Sequence, residues 1–184
     1  VTGKTVSGAG TLSVTNLDAT LNANFTNVNP TTLNVDWSGT GTYIGNLTNV
    51  DTLTVTSGTM QVDANKLNVV SSITNNSTLN VTNLQVVPAM NLSTIGGGGT
   101  LNATWSGDAT FTGNLSTANL TVSSGTMTVS TGTISGSGTL TVNSGATLSA
   151  DASKLSGETI TGTGNITITN LQNTLNGNFA GLHS

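Results

Sequence analysis

The chain has 184 residues, of which 5% are charged, 3% aromatic and 34% hydrophobic, with a formal net charge of −4. Three lysines and no arginine leave nothing to neutralise phosphates, which argues against nucleic acid and against an electrostatic membrane partner. No window approaches the roughly 18 apolar residues of a membrane helix, and the absence of cysteine excludes disulfides, thiolate metal sites and cysteine nucleophiles.

Thr, Asn, Ser and Gly fill 105 positions, 38 of them Thr. So polar and so weakly charged a chain would ordinarily be disordered. Here Leu and Val recur at regular places, and that periodicity predicts order. The start at Val1-Thr2-Gly3-Lys4 carries no basic-then-apolar signal segment and reads as a processed or excised piece.

Taken from the N-terminus, the chain copies itself. Val6 to Leu17 (V-S-G-A-G-T-L-S-V-T-N-L) returns as Ile73 to Leu84 (I-T-N-N-S-T-L-N-V-T-N-L) and as Ile160 to Leu171 (I-T-G-T-G-N-I-T-I-T-N-L). A second family pairs Leu33-Asn34-Val35-Asp36-Trp37-Ser38-Gly39 with Leu101-Asn102-Ala103-Thr104-Trp105-Ser106-Gly107, continuing through Tyr43 and Phe111. Asp63-Ala64-Asn65-Lys66-Leu67 answers Asp151-Ala152-Ser153-Lys154-Leu155. The interval from Ile73 to Ile160 exceeds that from Val6 to Ile73 by one repeat unit of about 20 residues, inserted around Ser130 to Ser149. Independently, T-L-x-V-like segments start at Thr11, Thr32, Thr52, Thr78, Thr100, Asn119 and Thr139, mostly at intervals of the same size.

A coil of about 20 residues holding short alternating strands predicts an all-β fold. The expectation is one right-handed parallel β-helix (β-solenoid) over residues 1–184, with about nine rungs, no helices and a length on the order of 40 Å. Leu33, Val35 and Trp37 share one face and line the interior, while Thr32, Asn34 and Asp36 face water. Gly and Asn mark bends, as at Ser57-Gly58, Ser124-Gly125 and Ser144-Gly145. Asn16, Asn83 and Asn170 share one repeat position, where they either stack as a ladder or cap a bend. Pro88 replaces the Leu of its sister copies and predicts a locally irregular coil, and Gly96 to Gly99 reads as the loosest loop.

Chemistry is sparse. Asp18, Asp36, Asp51, Asp63, Asp108, Asp151 and Glu158 are scattered and read as solvated outward positions, not as the converging acids of a polysaccharide-cleaving β-helix. Asp63/Lys66 and Asp151/Lys154 read as local turn pairings, and His183 as a tail residue without a second imidazole for a metal. No cofactor is implied. The Trp37/Trp105 pair has the phase of core residues. Threonine rows at Thr52, Thr54, Thr56, Thr126, Thr128, Thr139, Thr141, Thr167 and Thr169 are the candidate binding face, since regularly spaced hydroxyls and methyls can order water or carbohydrate. The competing reading is that Thr is simply a good polar strand former.

Segments such as Gly138-Thr139-Leu140-Thr141-Val142-Asn143-Ser144-Gly145-Ala146-Thr147-Leu148 and Ser124-Gly125-Thr126-Met127-Thr128-Val129 resemble the repeats of bacterial secreted β-helical adhesins, namely autotransporter passengers and filamentous-haemagglutinin-like proteins. The resemblance covers most of the chain and implies a non-enzymatic, extracellular or cell-surface protein acting in adhesion, biofilm or an extracellular filament. Without a translocator barrel, secretion domain or Arg-Gly-Asp motif, this chain would be the stalk. Val1 to Val28 aligns with Leu155 to Leu182, so both ends fall inside a repeat. The expectation is a segment of a longer repetitive chain or a stacking subunit of a fibre. Its partners would be other copies of itself end to end, or host, cell-surface or matrix glycans.

Overall fold

Alternating Thr with Leu, Val or Ile places one side chain in two on an apolar face, and each such run ends at Gly, Asn or Ser. In the computed structural model, which describes residues 9–17, 29–115, 118–134, 138–171 and 178–182, these runs are strands. In chain order they are β1 (Ala9–Leu17), β2 (Asn29–Tyr43), β3 (Thr52–Asp63), β4 (Ser72–Asn75), β5 (Thr78–Thr82), β6 (Thr100–Ser106) and β7 (Ala109–Phe111). They continue as β8 (Asn119–Val129), β9 (Leu140–Val142), β10 (Ala146–Asp151), β11 (Thr159–Gly162), β12 (Asn165–Thr169) and β13 (Asn178–Leu182). Among the described residues strand accounts for 60% and helix for 10%, and the fold is a parallel β-solenoid of about seven turns.

The described residues fall into two compact units. One runs through Thr82 and includes Thr94–Leu101; the other comprises Asn83–Ser93 and the described residues from Asn102 onward. In the first unit, β1, β2, β3 and the short β4 stack in parallel. Leu12 meets Leu33, Leu33 meets Leu53, and Leu53 meets Ile73, one coil per step. Past a bend at Gly58, the second half of β3 belongs to a second column, with Met60 against Leu79 and Val62 against Val81 of β5. The Thr78 copy thus stacks over Thr59 and not over Thr52. From Leu12 to its copy Leu79 the chain makes three turns plus a step to the next side of the coil, which explains the one wide gap between Thr52 and Thr78.

The second unit repeats this plan on two sides. Ala103, Leu120, Leu140 and Ile160 form one inward column through β6, β8, β9 and β11. Met127, Leu148 and Ile166 form the other through β8, β10 and β12. Return segments close the coils through single bridges, Asn91 to Asn114 and Asn114 to Thr133. Leu33, Val35, Leu53, Val55, Leu120, Val122, Leu140, Val142 and Leu148 are fully or almost fully buried, as the alternation predicts. Burying a Leu or Val contributes about 1.5–3 kcal/mol each, so these columns are the main source of stability.

The expectation of no helices is corrected. The two D-A-x-K-L segments form single-turn α-helices, α1 (Ala64–Leu67) and α2 (Ala152–Leu155). Each begins at an extended aspartate whose carboxylate accepts an N–H two residues on, from Asn65 to Asp63 at 3.1 Å and from Ser153 to Asp151 at 2.8 Å. The aspartates are N-caps, while Ala64, Leu67, Ala152 and Leu155 pack into the interior. Two 3-10 turns, Leu84–Val86 and Leu92–Thr94, make the coil around Pro88 irregular, as expected.

Asn16, Asn83 and Asn170 all sit in the left-handed region, at φ 55°, 55° and 56°. The backbone bends at each of them, in a conformation that Asn tolerates better than most residues. Gly96–Gly99 is not loose. Gly96 N donates to Ile73 O at 2.9 Å, Gly99 N to Asn75 O at 2.9 Å and Thr100 N to Ser77 O at 2.6 Å. The buried Asn75 fastens the segment through Nδ2 to Thr100 O at 2.9 Å. Glycine is required because a Cβ at Gly97 or Gly99 would overlap the Asn75 or Ser77 backbone.

Candidate functional site

Outward positions on a parallel stack repeat every coil, so side chains facing water form columns about 4.8 Å apart. The nine threonines singled out by sequence fall on several of these. In the first unit, Thr52 lies between Thr32 and Ser72, and Thr54 between Asn34 and Thr74. Thr56 turns its hydroxyl back to Val35 O at 2.9 Å. In the second unit, Thr126 is followed by Thr147 and Asn165, and Thr128 by Ser149 and Thr167. Thr169 pairs with Asp151 and donates to Ala150 O at 3.4 Å. Thr139 precedes β9 and its N–H reaches Asn119 Oδ1 at 2.9 Å.

The most regular column was only partly legible. Thr104, Thr121, Thr141 and Thr161 stand in register on β6, β8, β9 and β11, all half-buried. The hydroxyls of Thr141 and Thr161 lie 3.2 Å apart. The threonine rows singled out by sequence include only Thr141 of the four. The signal that would have found the others is a threonine recurring once per coil with an inward Leu, Ile or Ala beside it.

The tryptophans with the phase of core residues are interior, as are Tyr43 and Phe111. Trp37, Tyr43, Trp105 and Phe111 are all at most 1% exposed, and Trp105 meets Phe111 edge to face at 6.1 Å. The Tyr43 hydroxyl donates to Asn46 O at 3.2 Å, and burial holds its proton on well above the usual phenol range.

Four of the described carboxylates have structural tasks. Asp36 Oδ1 accepts from Ser57 Oγ on the next coil. Asp108 Oδ1 accepts from Thr126 N at 2.6 Å. Asp63 and Asp151 cap helices, and Asp151 also holds Asn170 Nδ2 at 2.9 Å. Hydrogen bonds from Ser153 N, Ser153 Oγ and Asn170 keep the Asp151 carboxyl below its ordinary range, with a smaller contribution from Lys154. The turn pairing read from Asp151/Lys154 is therefore secondary to capping.

Glu158 corrects the reading of the acids as solvated, being only 3% exposed. Its N–H closes on Leu155 O at 3.2 Å, repeating the turns Val50 on Leu47, Val70 on Leu67 and Ala118 on Leu115. The other three turns bury an apolar residue where this one buries a carboxylate. Among the described residues no three His, Cys, Asp or Glu side chains gather as a metal site. Asp18 and His183 lie outside the described residues. No helix among the described residues is long and apolar enough to cross a membrane. Neither a family model, nor a curated protein, nor a solved structure matches the chain.

Proposed function

We propose that this chain is a non-enzymatic structural or adhesive β-solenoid, the stalk of a bacterial surface adhesin or the subunit of an extracellular filament. One observation carries the reading: apolar columns run coil over coil while Asp36, Asp63, Asp108 and Asp151 are each held in a structural hydrogen bond. A charge-poor Thr/Asn/Ser exterior fits an extracellular or cell-surface setting. Counting the whole 184-residue chain at about 20 residues per coil, we take the solenoid to have about nine rungs, coiled right-handedly as parallel crossovers generally are. Its partners are other copies of the chain, stacked end to end, or cell-surface and matrix glycans.

The test combines imaging with chemistry. Electron microscopy of purified protein should show slender rods or filaments, and incubation with acidic and neutral polysaccharides should release no new chain ends. Product release would overturn the reading. A second reading, binding of ice or carbohydrate by a flat threonine face, is favoured by the Thr104–Thr121–Thr141–Thr161 column. Thermal hysteresis or glycan retention that disappears in Thr121→Leu/Thr141→Leu would support it.

A further inference from the structure

A donor without an acceptor and a strand with surplus residues meet in the coil around Trp37. Trp37 Nε1 is buried without a partner, whereas Trp105 Nε1, in the sister coil, donates to Gly107 O at 2.9 Å. Asp36 lies opposite Ser57 and Thr40 opposite Thr59, so β2 takes four steps where β3 takes two. In the sister coil Ser106 lies opposite Ser124 and Ala109 opposite Met127, and the paired strands advance equally.

We infer that the Trp37 coil has a second register, reached when residues 32–37 of β2 draw back two residues along β3 and take up the surplus. Val35 then lies opposite Leu53, Trp37 opposite Val55, Ser38 opposite Ser57 and Gly39 opposite Gly58, which is the arrangement of the sister coil. Against β1 the same step sets Leu12 opposite Val35 and Val14 opposite Trp37. A step of two keeps every Leu, Val and Trp facing inward. Gly39 is free to take the positive φ by which Gly107, at +113°, turns its carbonyl to the tryptophan. The two registers exchange similar terms. The indole gains an acceptor and β2 loses its irregularity. In return Leu33 leaves Leu53 for a place opposite the exposed Asp51, and two side-chain bonds break, Ser57 Oγ to Asp36 Oδ1 and Asn34 Nδ2 to Ser13 Oγ at 3.4 Å. Terms this closely matched make the second register a minor state, roughly 0.1–10% of the population.

The switch changes what the coil shows to water. Asn34 replaces Thr32 beside Thr52, and Asp36, released from Ser57, replaces Asn34 beside Thr54. A partner that reads the threonine rows at Thr52 and Thr54 thus meets an aspartate among them in one register only, and it selects the register it fits.

The chain has no cysteine, so introduced pairs read the register directly. In the observed register Asn34 lies opposite Thr54, and the pairs Asn34/Thr52 and Thr32/Thr54 are both diagonal, two residues out of step. Drawing β2 back brings Asn34 opposite Thr52, within the Cα separation of about 4.4–6.8 Å that a disulfide needs, and carries Thr32 farther from Thr54. In the full chain Asn34→Cys/Thr52→Cys is expected to oxidise about tenfold faster than Thr32→Cys/Thr54→Cys, with Asn34→Cys/Thr54→Cys the fastest of the three. Equal rates for the two diagonal pairs would overturn the inference, as would failure of the Asn34→Cys/Thr54→Cys pair to close. A Cβ at Gly39 meets nothing within 4 Å in the observed register, but alanine resists positive φ. Adding Gly39→Ala should therefore slow the Asn34→Cys/Thr52→Cys closure about tenfold and leave Asn34→Cys/Thr54→Cys unchanged. Trp37→Phe, which removes the donor that the second register satisfies, should slow the same diagonal closure. Diagonal closure indifferent to both added variants would mark general looseness of the coil and overturn the switch.

Discussion

Two coils of nearly the same sequence, one around Trp37 and one around Trp105, pack on their neighbours in different registers. Leu33 lies opposite Leu53 in the first, whereas Ala103, the counterpart of Val35, lies opposite Leu120 in the second. The slip is two residues. Because side chains alternate with period two, such a slip leaves every Leu, Val and Trp facing inward, while a slip of one would turn them all to water. Beyond the bend the two coils agree again, Gly41 opposite Met60 and Ala109 opposite Met127. The first coil absorbs its two surplus residues as an irregularity between Asp36 and Thr40.

The slip has a local consequence. Gly107 adopts φ +113° and its carbonyl accepts from Trp105 Nε1 at 2.9 Å, whereas Trp37 Nε1 is buried without a partner. A buried donor left unpaired costs about 1–3 kcal/mol. The lesson is that a solenoid specifies which face is buried far more strictly than it specifies register.

The largest expected effect is at the bend both coils share. At Gly58 and Gly125, φ is +66° and +68°, and a Cβ would overlap the Trp37 or the Gly107 backbone of the preceding coil. Gly58→Ala and Gly125→Ala should each destabilise by about 2–4 kcal/mol in denaturant titration, from left-handed strain plus overpacking. Gly145→Ala, at φ +79° with nothing within 4 Å, should cost only about 1–2 kcal/mol. Equal losses at all three positions would break the idea that close stacking, and not the bend alone, demands glycine.

The tryptophans sharpen the comparison at a smaller scale. Trp105→Phe removes a made hydrogen bond, and Trp37→Phe removes an orphan donor. Urea midpoints should show Trp105→Phe to be the more damaging by about 1 kcal/mol. The smallest effect is acidic. The Asp151 carboxyl is depressed from 3.8, so its capping contribution is fully present above about pH 4 and is lost as pH falls through the lower folded value. Amide exchange at Ser153 should accelerate on that descent, and Asp151→Asn should flatten the dependence.

Much of this was legible in the sequence. The inward set of Leu33, Val35 and Trp37, the regular coil length and the bends at Gly58, Gly125 and Gly145 follow from alternation and from glycine's freedom at positive φ. Other features were not, each for a physical reason. A four-residue helix such as Ala64–Leu67 is too short to show a helical period; only its capping Asp63 signals it. The step of the Thr78 copy to the next side of the coil is invisible because both sides obey one alternation. Glu158 was read as solvated because its type favours water, yet it occupies the buried closing position of a recurrent turn. The threonine column through Thr104 and Thr161 depends on register, the property the two tryptophan coils show to be free to slip.

Successive coils stack in parallel, and a disulfide within one coil pair reports on that stacking. Thr54 and Thr74 face each other on β3 and β4 in the stacked register. A Thr54→Cys/Thr74→Cys chain should oxidise quantitatively to an intramolecular bond, faster than Thr32→Cys/Thr74→Cys, whose positions lie two coils apart, and gain thermal stability. Failure to close, or closure no faster than in the comparison pair, would contradict the stacked-coil architecture.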